Sequence, residues 1–252
     1  MSPNLGTFLV AADGDSLARL AAELLRGWVW EAIGTSAGGS ARIALSGGST
    51  PRAMFKALAA MDVPWGKTEV FWVDERAVAP TSDRSNYGAA KADLFAALPA
   101  PPRGLYAMPG AAPDLEAAAR SYEAAIARSF GMPANDATFA RYPAFDVVLL
   151  GIGDDGHTAS LFPGDATVDV TNRWVVSVPA ATDREARLTL TRPVITSAKR
   201  VVVLAQGDKK RGPIAKAREV GPLRDIPSRL TQECGGELFW LVDAAALPKA
   251  GA

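Results

Sequence analysis

The chain has 252 residues, 27 of them lysine or arginine and 27 aspartate or glutamate, and it contains one cysteine and one histidine. The single cysteine excludes an internal disulfide, and one cysteine with one histidine excludes a zinc site built on the usual nitrogen and sulfur ligands. Because the formal net charge is zero, no apolar run reaches the length of a membrane span, and residues 1–10 lack a secretory pattern, we expect a cytoplasmic globular protein without a nucleic-acid or membrane partner.

Apolar runs alternate along the chain with stretches of helical spacing. In the first half, the predicted elements are an edge strand at 7–11, a helix from Asp15, a strand at 42–45, a helix with Pro51 in its first turn, a buried strand at 69–73, a polar loop from Asp74, and a helix at 87–98. In the second half, they are a helix at 115–130, strands at 145–150, 174–178, 188–191 and 200–205, a helix at 208–218, and a strand at 238–242.

The predicted strands are near-continuous apolar runs, which is typical of a parallel sheet covered by helices on both faces. We therefore predict an α/β fold with a mostly parallel sheet, formed by a single domain over residues 1–252. Residues 155–195 are the one candidate for a small subdomain. The Pro- and Ala-rich stretches 99–113 and 131–143 are short enough to be surface loops.

Polar residues follow four of the predicted strands, in the loops 46–51, 74–86, 151–158 and 206–210. Ligands of open parallel sheets bind beyond the carboxyl ends of the strands. We therefore expect these four loops to meet at one edge of the sheet and to form the functional site.

The first of these loops reads Ser46-Gly47-Gly48-Ser49-Thr50-Pro51. Two glycines allow close approach of the backbone to an anion, the hydroxyl groups add donors, and the following helix offers unpaired N–H groups. A phosphate-binding loop is one interpretation, and an ordinary strand-to-helix turn with a Ser or Thr cap is the other. The loop is not a Walker motif, because no Gly-Lys-Ser/Thr follows.

The second loop begins with Asp74-Glu75-Arg76. These charges form either a solvated turn with a local salt bridge or part of the site, with Arg76 placed to bind a phosphate through its planar guanidinium.

The third loop holds the only histidine, His157, after the carboxylates Asp154 and Asp155. A lone histidine is often structural, but one at this edge of the sheet is a candidate general base, and a neighbouring carboxylate fixes its tautomer. The glycine spacing also resembles a dinucleotide fingerprint, although the third glycine of that pattern is missing.

The fourth loop places Lys209, Lys210 and Arg211 at a predicted helix start, where the helix dipole disfavours cations. A bound phosphate would relieve that conflict. Arg184 and Arg187 are either charges at a strand edge or a second anion clamp. Cys234 has no neighbouring Cys or His in sequence and is predicted to be an inert thiol.

Taken in order, these motifs resemble the 6-phosphogluconolactonase family over residues 42–242. The segments that carry the resemblance are LSGGSTP at 45–51, VDER at 73–76, SNY at 85–87, GIGDDGHTASLFPG at 151–164, RLTLT at 187–191 and GDKK at 207–210. The GDDGHTASLFPG segment is the most specific. The glycine loop and the Asp-Glu pair also occur in a wider superfamily that includes glucosamine-6-phosphate deaminases.

The resemblance implies a Rossmann-like fold and hydrolysis of 6-phosphoglucono-δ-lactone to 6-phosphogluconate in the oxidative pentose phosphate pathway, without a metal or cofactor. The expected partner is thus a small sugar phosphate lactone, and we expect a monomer or weak homodimer. Carried over to this chain, His157 is the base, Asp155 orients it, and Asp74 is a further catalytic aspartate at the edge of the sheet. The implied substrate- and phosphate-binding residues are Ser46, Gly47, Gly48, Ser49, Thr50, Arg76, Arg187 and Lys210.

Two alternatives remain, an amino-sugar-phosphate deaminase or isomerase and a non-catalytic sugar-phosphate sensor. The family pattern of deaminases has Tyr where this chain has Arg76, and Asn-Glu where it has Leu161-Phe162. The presence of His157 together with Asp155 argues against a sensor. Asp154 is an extra carboxylate at a position where the lactonase pattern varies.

Overall fold

A computed structural model describes residues 3–133, 141–182 and 184–249 of the chain. Its strands are β1 (Thr7–Ala11), β2 (Ala41–Leu45), β3 (Thr68–Trp72), β4 (Asp74–Arg76), β5 (Gly104–Tyr106), β6 (Val147–Leu150), β7 (Val175–Val178), β8 (Arg187–Leu190), β9 (Arg200–Ala205) and β10 (Glu237–Asp243). Its α-helices are α1 (Gly14–Thr35), α2 (Ser49–Ala59), α3 (Asn86–Asp93), α4 (Leu115–Phe130), α5 (Arg192–Thr196) and α6 (Arg211–Arg218).

In the described ranges, seven strands form the main sheet in the order β1-β10-β9-β6-β2-β3-β5. The pairs in this sheet are parallel, and every residue of the inner strands β3 and β6 is buried, as the continuous apolar runs predict. Helix α1 buries Leu17, Ala21, Leu25 and Val29, which recur at a spacing of four residues along one face. The predicted α/β fold with a mostly parallel sheet is confirmed.

A second sheet of three antiparallel strands, in the order β4-β8-β7, lies at the carboxyl end of β3. At Val73 the chain passes from one sheet to the other, because its N–H donates to the carbonyl of Leu45 and its carbonyl accepts from the N–H of Leu190. The buried side chains of Val175, Leu188 and Leu190 belong to the same hydrophobic core as the main sheet. The small sheet thus extends the core of the main sheet and borders the region where the polar loops meet.

The prediction of a polar loop from Asp74 is wrong at its start. Residues Asp74–Arg76 form strand β4. Asp74 and Glu75 are both buried, with exposed fractions of 5% and 2%. Hydrogen-bond donors from other segments, described below, replace water around these carboxylates. The buried strand was therefore predicted as a loop because its residues are charged.

The predicted helix boundaries differ from the structure in two places. The predicted helix at 87–98 is α3 followed by a separate 3-10 turn at Phe95–Ala97, and the one at 208–218 is a 3-10 turn at Asp208–Lys210 followed by α6. Part of the predicted surface loop at 131–143 lies outside the described residues. Within the described ranges, no helix has the length and apolar character needed to cross a membrane.

Candidate active site

The carboxyl ends of β2, β6 and β9 and the start of the small sheet surround a cleft of about 230 Å³, a volume suited to a small molecule. All the residues predicted to form the site line this cleft except Asp155, which lies behind His157. They are Ser46, Gly47, Gly48, Ser49, Thr50, Asp74, Arg76, His157, Arg187 and Lys210. Four loops that are far apart in the sequence therefore meet at one place.

The imidazole of His157 is held by Asp155. Its Nδ1 lies 2.6 Å from Oδ1 of Asp155, and the same oxygen accepts the backbone N–H of His157 at 3.0 Å. Burial opposes ionisation of Asp155, but these hydrogen bonds and the nearby imidazole outweigh burial and lower the pKa of the carboxyl group. An ionised Asp155 fixes the proton on Nδ1, so that Nε2 is the nitrogen available in the cleft.

The turn that carries this pair requires glycine at position 153. The N–H of Gly153 donates to the carbonyl of His157 at 2.8 Å, which closes the turn. A Cβ atom at Gly153 would lie 2.1 Å from Nδ1 of His157 and 2.5 Å from Oδ1 of Asp155. Any side chain at this position would displace the imidazole from its carboxylate.

The ring of Phe162 packs against the imidazole of His157, with 4.6 Å between the ring centroids. The guanidinium of Arg184 lies 3.9 Å from the Phe162 centroid, and that of Arg187 lies 5.5 Å from it. Arg184 is also paired with Asp165 and does not line the cleft. Of the two arginines predicted as an anion clamp, only Arg187 therefore reaches the cleft.

The glycine loop is held against its neighbours on both sides. The hydroxyl of Ser46 donates to the carbonyl of Leu149 at 2.7 Å. This hydrogen bond connects the ends of β2 and β6, so the hydroxyl proton already has an acceptor within the protein. Gly48 has a φ of 111°, which favours glycine, and it immediately precedes helix α2. Ser49 and Thr50 occupy the first turn of α2, where backbone N–H groups lack partners in the helix and attract anions.

Asp74 is surrounded by donors. Its carboxylate accepts the hydroxyl of Ser160 at 2.6 Å and the side-chain amide of Asn86 at 3.3 Å, and it lies 3.8 Å from Nη1 of Arg187. Asn86 also packs against the glycine loop, since a Cβ atom at Gly47 would lie 1.8 Å from its Oδ1. Ser160 and Asn86 were missed as site residues by sequence reasoning, because both act through contacts distant in sequence.

Glu75 points to the opposite side of β4 and fixes the start of α3. Its two carboxylate oxygens accept four hydrogen bonds, from the backbone N–H groups of Arg76, Asn86 and Tyr87 and from the hydroxyl of Ser85. Burial raises the pKa of Glu75, while the four donors act in the other direction. Glu75 therefore belongs to the structure that supports the site, and the interpretation of a solvated turn is wrong.

Three cations line the cleft. Nη1 of Arg76 donates to the carbonyl of Arg84, and Nζ of Lys210 lies 2.6 Å from Asp154. The Nε atoms of Arg76 and Arg187 are buried and have no hydrogen-bond partner in the described part of the chain. Burial lowers the pKa of Arg187, against the opposite effect of Asp74, but a guanidinium stays charged at neutral pH. Both arginines nevertheless line the cleft, where their positive charge favours binding of an anion.

The described residues form neither of two other kinds of site, a metal centre and a reactive thiol. Across those ranges, no group of three or more His, Cys, Asp or Glu side chains is arranged to hold a metal ion. Cys234 is buried away from the cleft, and burial, with the nearby charge of Glu233, raises its pKa to about 12. The thiol is therefore protonated at neutral pH and unreactive.

Comparisons with known proteins identify the family of the chain. The family model described as glucosamine-6-phosphate isomerases/6-phosphogluconolactonase matches residues 12–240. A 6-phosphogluconolactonase of Synechocystis sp. is 40% identical over 210 residues, which cover 82% of this chain and 84% of the relative. The structure of a 6-phosphogluconolactonase from Trypanosoma cruzi is similar with a TM-score of 0.82 and 28% identity, covering 98% of this chain and 97% of that chain.

A monomeric glucosamine-6-phosphate deaminase has the same fold, with a TM-score of 0.75 at 22% identity, covering 95% of this chain and 98% of that chain. The fold alone therefore does not separate lactonases from deaminases. The family match over most of the chain and the 40% identity to a lactonase confirm the resemblance that the motifs indicated. This chain belongs to the family of glucosamine-6-phosphate isomerases and 6-phosphogluconolactonases.

Proposed function

We propose that this protein hydrolyses 6-phospho-D-glucono-1,5-lactone to 6-phospho-D-gluconate. The observation that carries the proposal is the pair of His157 and Asp155, 2.6 Å apart, placed so that Nε2 is the imidazole nitrogen available to a cleft with three cations. The names of the relatives, which are 6-phosphogluconolactonases, support the same activity. We further propose that the reaction serves the oxidative pentose phosphate pathway in the cytoplasm.

The reaction begins with a water molecule between Nε2 of His157 and C1 of the lactone. Neutral His157 accepts a proton from this water as the water oxygen forms a bond to C1. Asp155, whose lowered pKa keeps it ionised, stabilises the imidazolium that results. The N–H groups of Gly153 and Gly156 already donate within the turn, so the oxyanion at C1 takes its donors from elsewhere in the cleft.

Collapse of the tetrahedral intermediate completes the hydrolysis. The bond between C1 and the ring oxygen breaks, and the imidazolium returns its proton to that oxygen, which becomes the hydroxyl group on C5. The new carboxylic acid loses a proton to solvent. His157 is neutral again, so one residue acts as base and then as acid.

The phosphate does not react, but its binding positions C1 next to His157. We assign the phosphate to Arg76, Arg187 and Lys210, together with the N–H groups that begin α2. The position of all three cations in the lining of the cleft supports this assignment. We assign to Asp74 the role of holding Arg187 in place, because its carboxylate lies between Arg187 and the buried donors of Ser160 and Asn86.

Phe162 favours lactone hydrolysis over deamination. At this position the deaminase pattern has a glutamate that acts in ring opening, whereas here an apolar ring packs on His157 and under Arg184. The test is to generate the lactone in the reaction mixture and measure its disappearance above spontaneous opening, with ammonia release from glucosamine 6-phosphate measured in parallel. Acceleration of the first reaction alone supports the proposal, and ammonia release without lactone hydrolysis would replace it with the deaminase.

A further inference from the structure

Asp154 and Lys210 form an ion pair beside the cleft, with Nζ of Lys210 2.6 Å from Oδ1 of Asp154. The Lys210 side chain is 25% exposed and lines the cleft, whereas the Asp154 side chain is 64% exposed and does not. The hydrogen bond and the charge of Lys210 lower the pKa of Asp154, so the carboxylate is ionised at neutral pH. One cation of the cleft is thus already partnered by a carboxylate from the His157 loop.

The backbone is fixed at both ends of this pair. The N–H of Gly207 donates to both oxygens of Asp243, at 3.0 and 3.2 Å, and the N–H of Lys210 donates to the carbonyl of Gly207. On the other side, the N–H of Gly156 donates to the carbonyl of Gly153, which closes the turn that holds Asp154. The pair therefore opens by rotation of the two side chains, and the flexible lysine stem allows it.

We propose that Asp154 competes with the phosphate of the substrate for Lys210 and thereby sets the affinity of the cleft for phosphorylated ligands. This inference rests on the assignment of Lys210 to the phosphate in the proposed function. A phosphate dianion that approaches Lys210 must displace the carboxylate or lie near its negative charge. Either event weakens binding relative to the same cleft without Asp154.

The arrangement distinguishes Lys210 from the two arginines of the cleft. Arg187 lies 3.8 Å from Asp74, which is itself buried and held by other donors, and its Nε has no partner in the described residues. The side chain of Asp154 is instead largely exposed, so it can rotate away from Lys210. Hydrolysis adds a carboxylate to the ligand, so an anion beside Lys210 also favours release of the product.

Replacement of Asp154 with Asn keeps the size of the side chain and removes its charge. Since exposed ion pairs are weak, we expect D154N to bind 6-phosphogluconate roughly three- to tenfold more tightly by calorimetry. Binding of inorganic phosphate should strengthen in the same direction, and the KM for the lactone should fall more than kcat changes. The matched control is D208N, which removes the same charge from the turn that carries Lys210. Asp208 itself makes no ion pair with any described residue.

A double-mutant cycle separates this role from a general effect of charge. D154N should have no effect on phosphate affinity in a K210A background, because Asp154 acts through Lys210. Unchanged affinity in D154N, an equal gain in D208N, or a gain that persists with K210A would overturn the inference. If K210A weakens 6-phosphogluconate binding while D154N does not change it, only this inference fails. If K210A binds as the wild type does, the phosphate assignment fails with it.

Discussion

The hydroxyl of Ser160 donates a 2.6 Å hydrogen bond to the carboxylate of Asp74, a residue 86 positions away in the sequence. Ser160 is fully buried and follows His157 by three residues, while Asp74 begins β4. The bond therefore connects the loop of the proposed base to the strand that carries Arg76. The N–H of Ser160 also donates to the hydroxyl of Thr189 on β8, so three elements of the site meet at this serine.

Removal of that hydroxyl should weaken both stability and substrate binding. In Ser160→Ala the buried carboxylate of Asp74 loses one donor, which should lower the free energy of unfolding by about 1 to 3 kcal/mol in urea titrations. The KM should rise because Arg187 loses a fixed partner. The control is Ser177→Ala, whose hydroxyl makes a longer bond to Glu116 and should cost about 0.5 kcal/mol or less. Equal stability of the two variants would refute the proposed importance of the Ser160 bond.

A methyl group at position 153 should impair catalysis through the imidazole. Gly153→Ala places a Cβ atom 2.1 Å from Nδ1 of His157, so the ring must move away from Asp155. A displacement near 1 Å predicts a loss of kcat of about 100-fold with little change in 6-phosphogluconate binding. Gly212→Ala is the control, since a Cβ atom there meets open space. Full activity of the Gly153 variant would show that the present ring position is not required.

Arg187 should contribute to the recognition of phosphate rather than to turnover. Because charge-assisted hydrogen bonds are strong, Arg187→Gln should raise the KM for the phosphorylated lactone about 10- to 100-fold. The rate with unphosphorylated gluconolactone should stay within about threefold of the wild type, since that substrate has no phosphate for Arg187 to bind. Arg192→Gln, on α5 and paired with Glu233, tests for a general effect of losing an arginine. Equal losses on both lactones would remove Arg187 from the phosphate site.

Activity should fall on acidification, because a protonated imidazole does not accept a proton from water. Asp155 does not cause this fall. Its pKa in the folded protein is lowered, so its contribution to stability is complete above its ordinary pKa and is lost only as the pH falls through the lower value. Phosphorus NMR of the lactone, corrected for spontaneous opening at each pH, measures the profile. A flat profile with an unchanged circular dichroism spectrum would argue against a histidine base.

The sequence predicted those features that local patterns encode. Apolar runs marked the strands of the parallel sheet except β5, which lies in a stretch predicted to be a surface loop. The helix at Leu115–Phe130 was predicted at its observed limits. Ligands of parallel sheets bind at the carboxyl ends of the strands, and from this rule we predicted one cleft for residues that the structure does place together. These residues are Gly47, Arg76, His157 and Lys210. In each case the signal lies in consecutive residues or in the order of strands.

Features that depend on contacts across the fold escaped prediction. Asp74 and Glu75 look like solvated charges in sequence, but Ser160, Asn86 and Tyr87 satisfy them in a buried strand. The sequence around Asn86 gives no indication that its side-chain amide contacts Asp74 and the glycine loop. Such partners become visible only when the three-dimensional structure is known, since hydrogen bonds between distant segments leave no periodic pattern.

Single-turnover hydrolysis of freshly generated lactone by His157→Asn decides whether His157 is the base. General-base catalysis contributes about 10² to 10⁴ in rate, so we predict a loss of that size in the hydrolysis rate above background. The affinity for 6-phosphogluconate should stay within a few-fold of the wild type, and the melting temperature should be similar. A variant that binds the product normally and hydrolyses the lactone at nearly the wild-type rate would show that His157 is not the base.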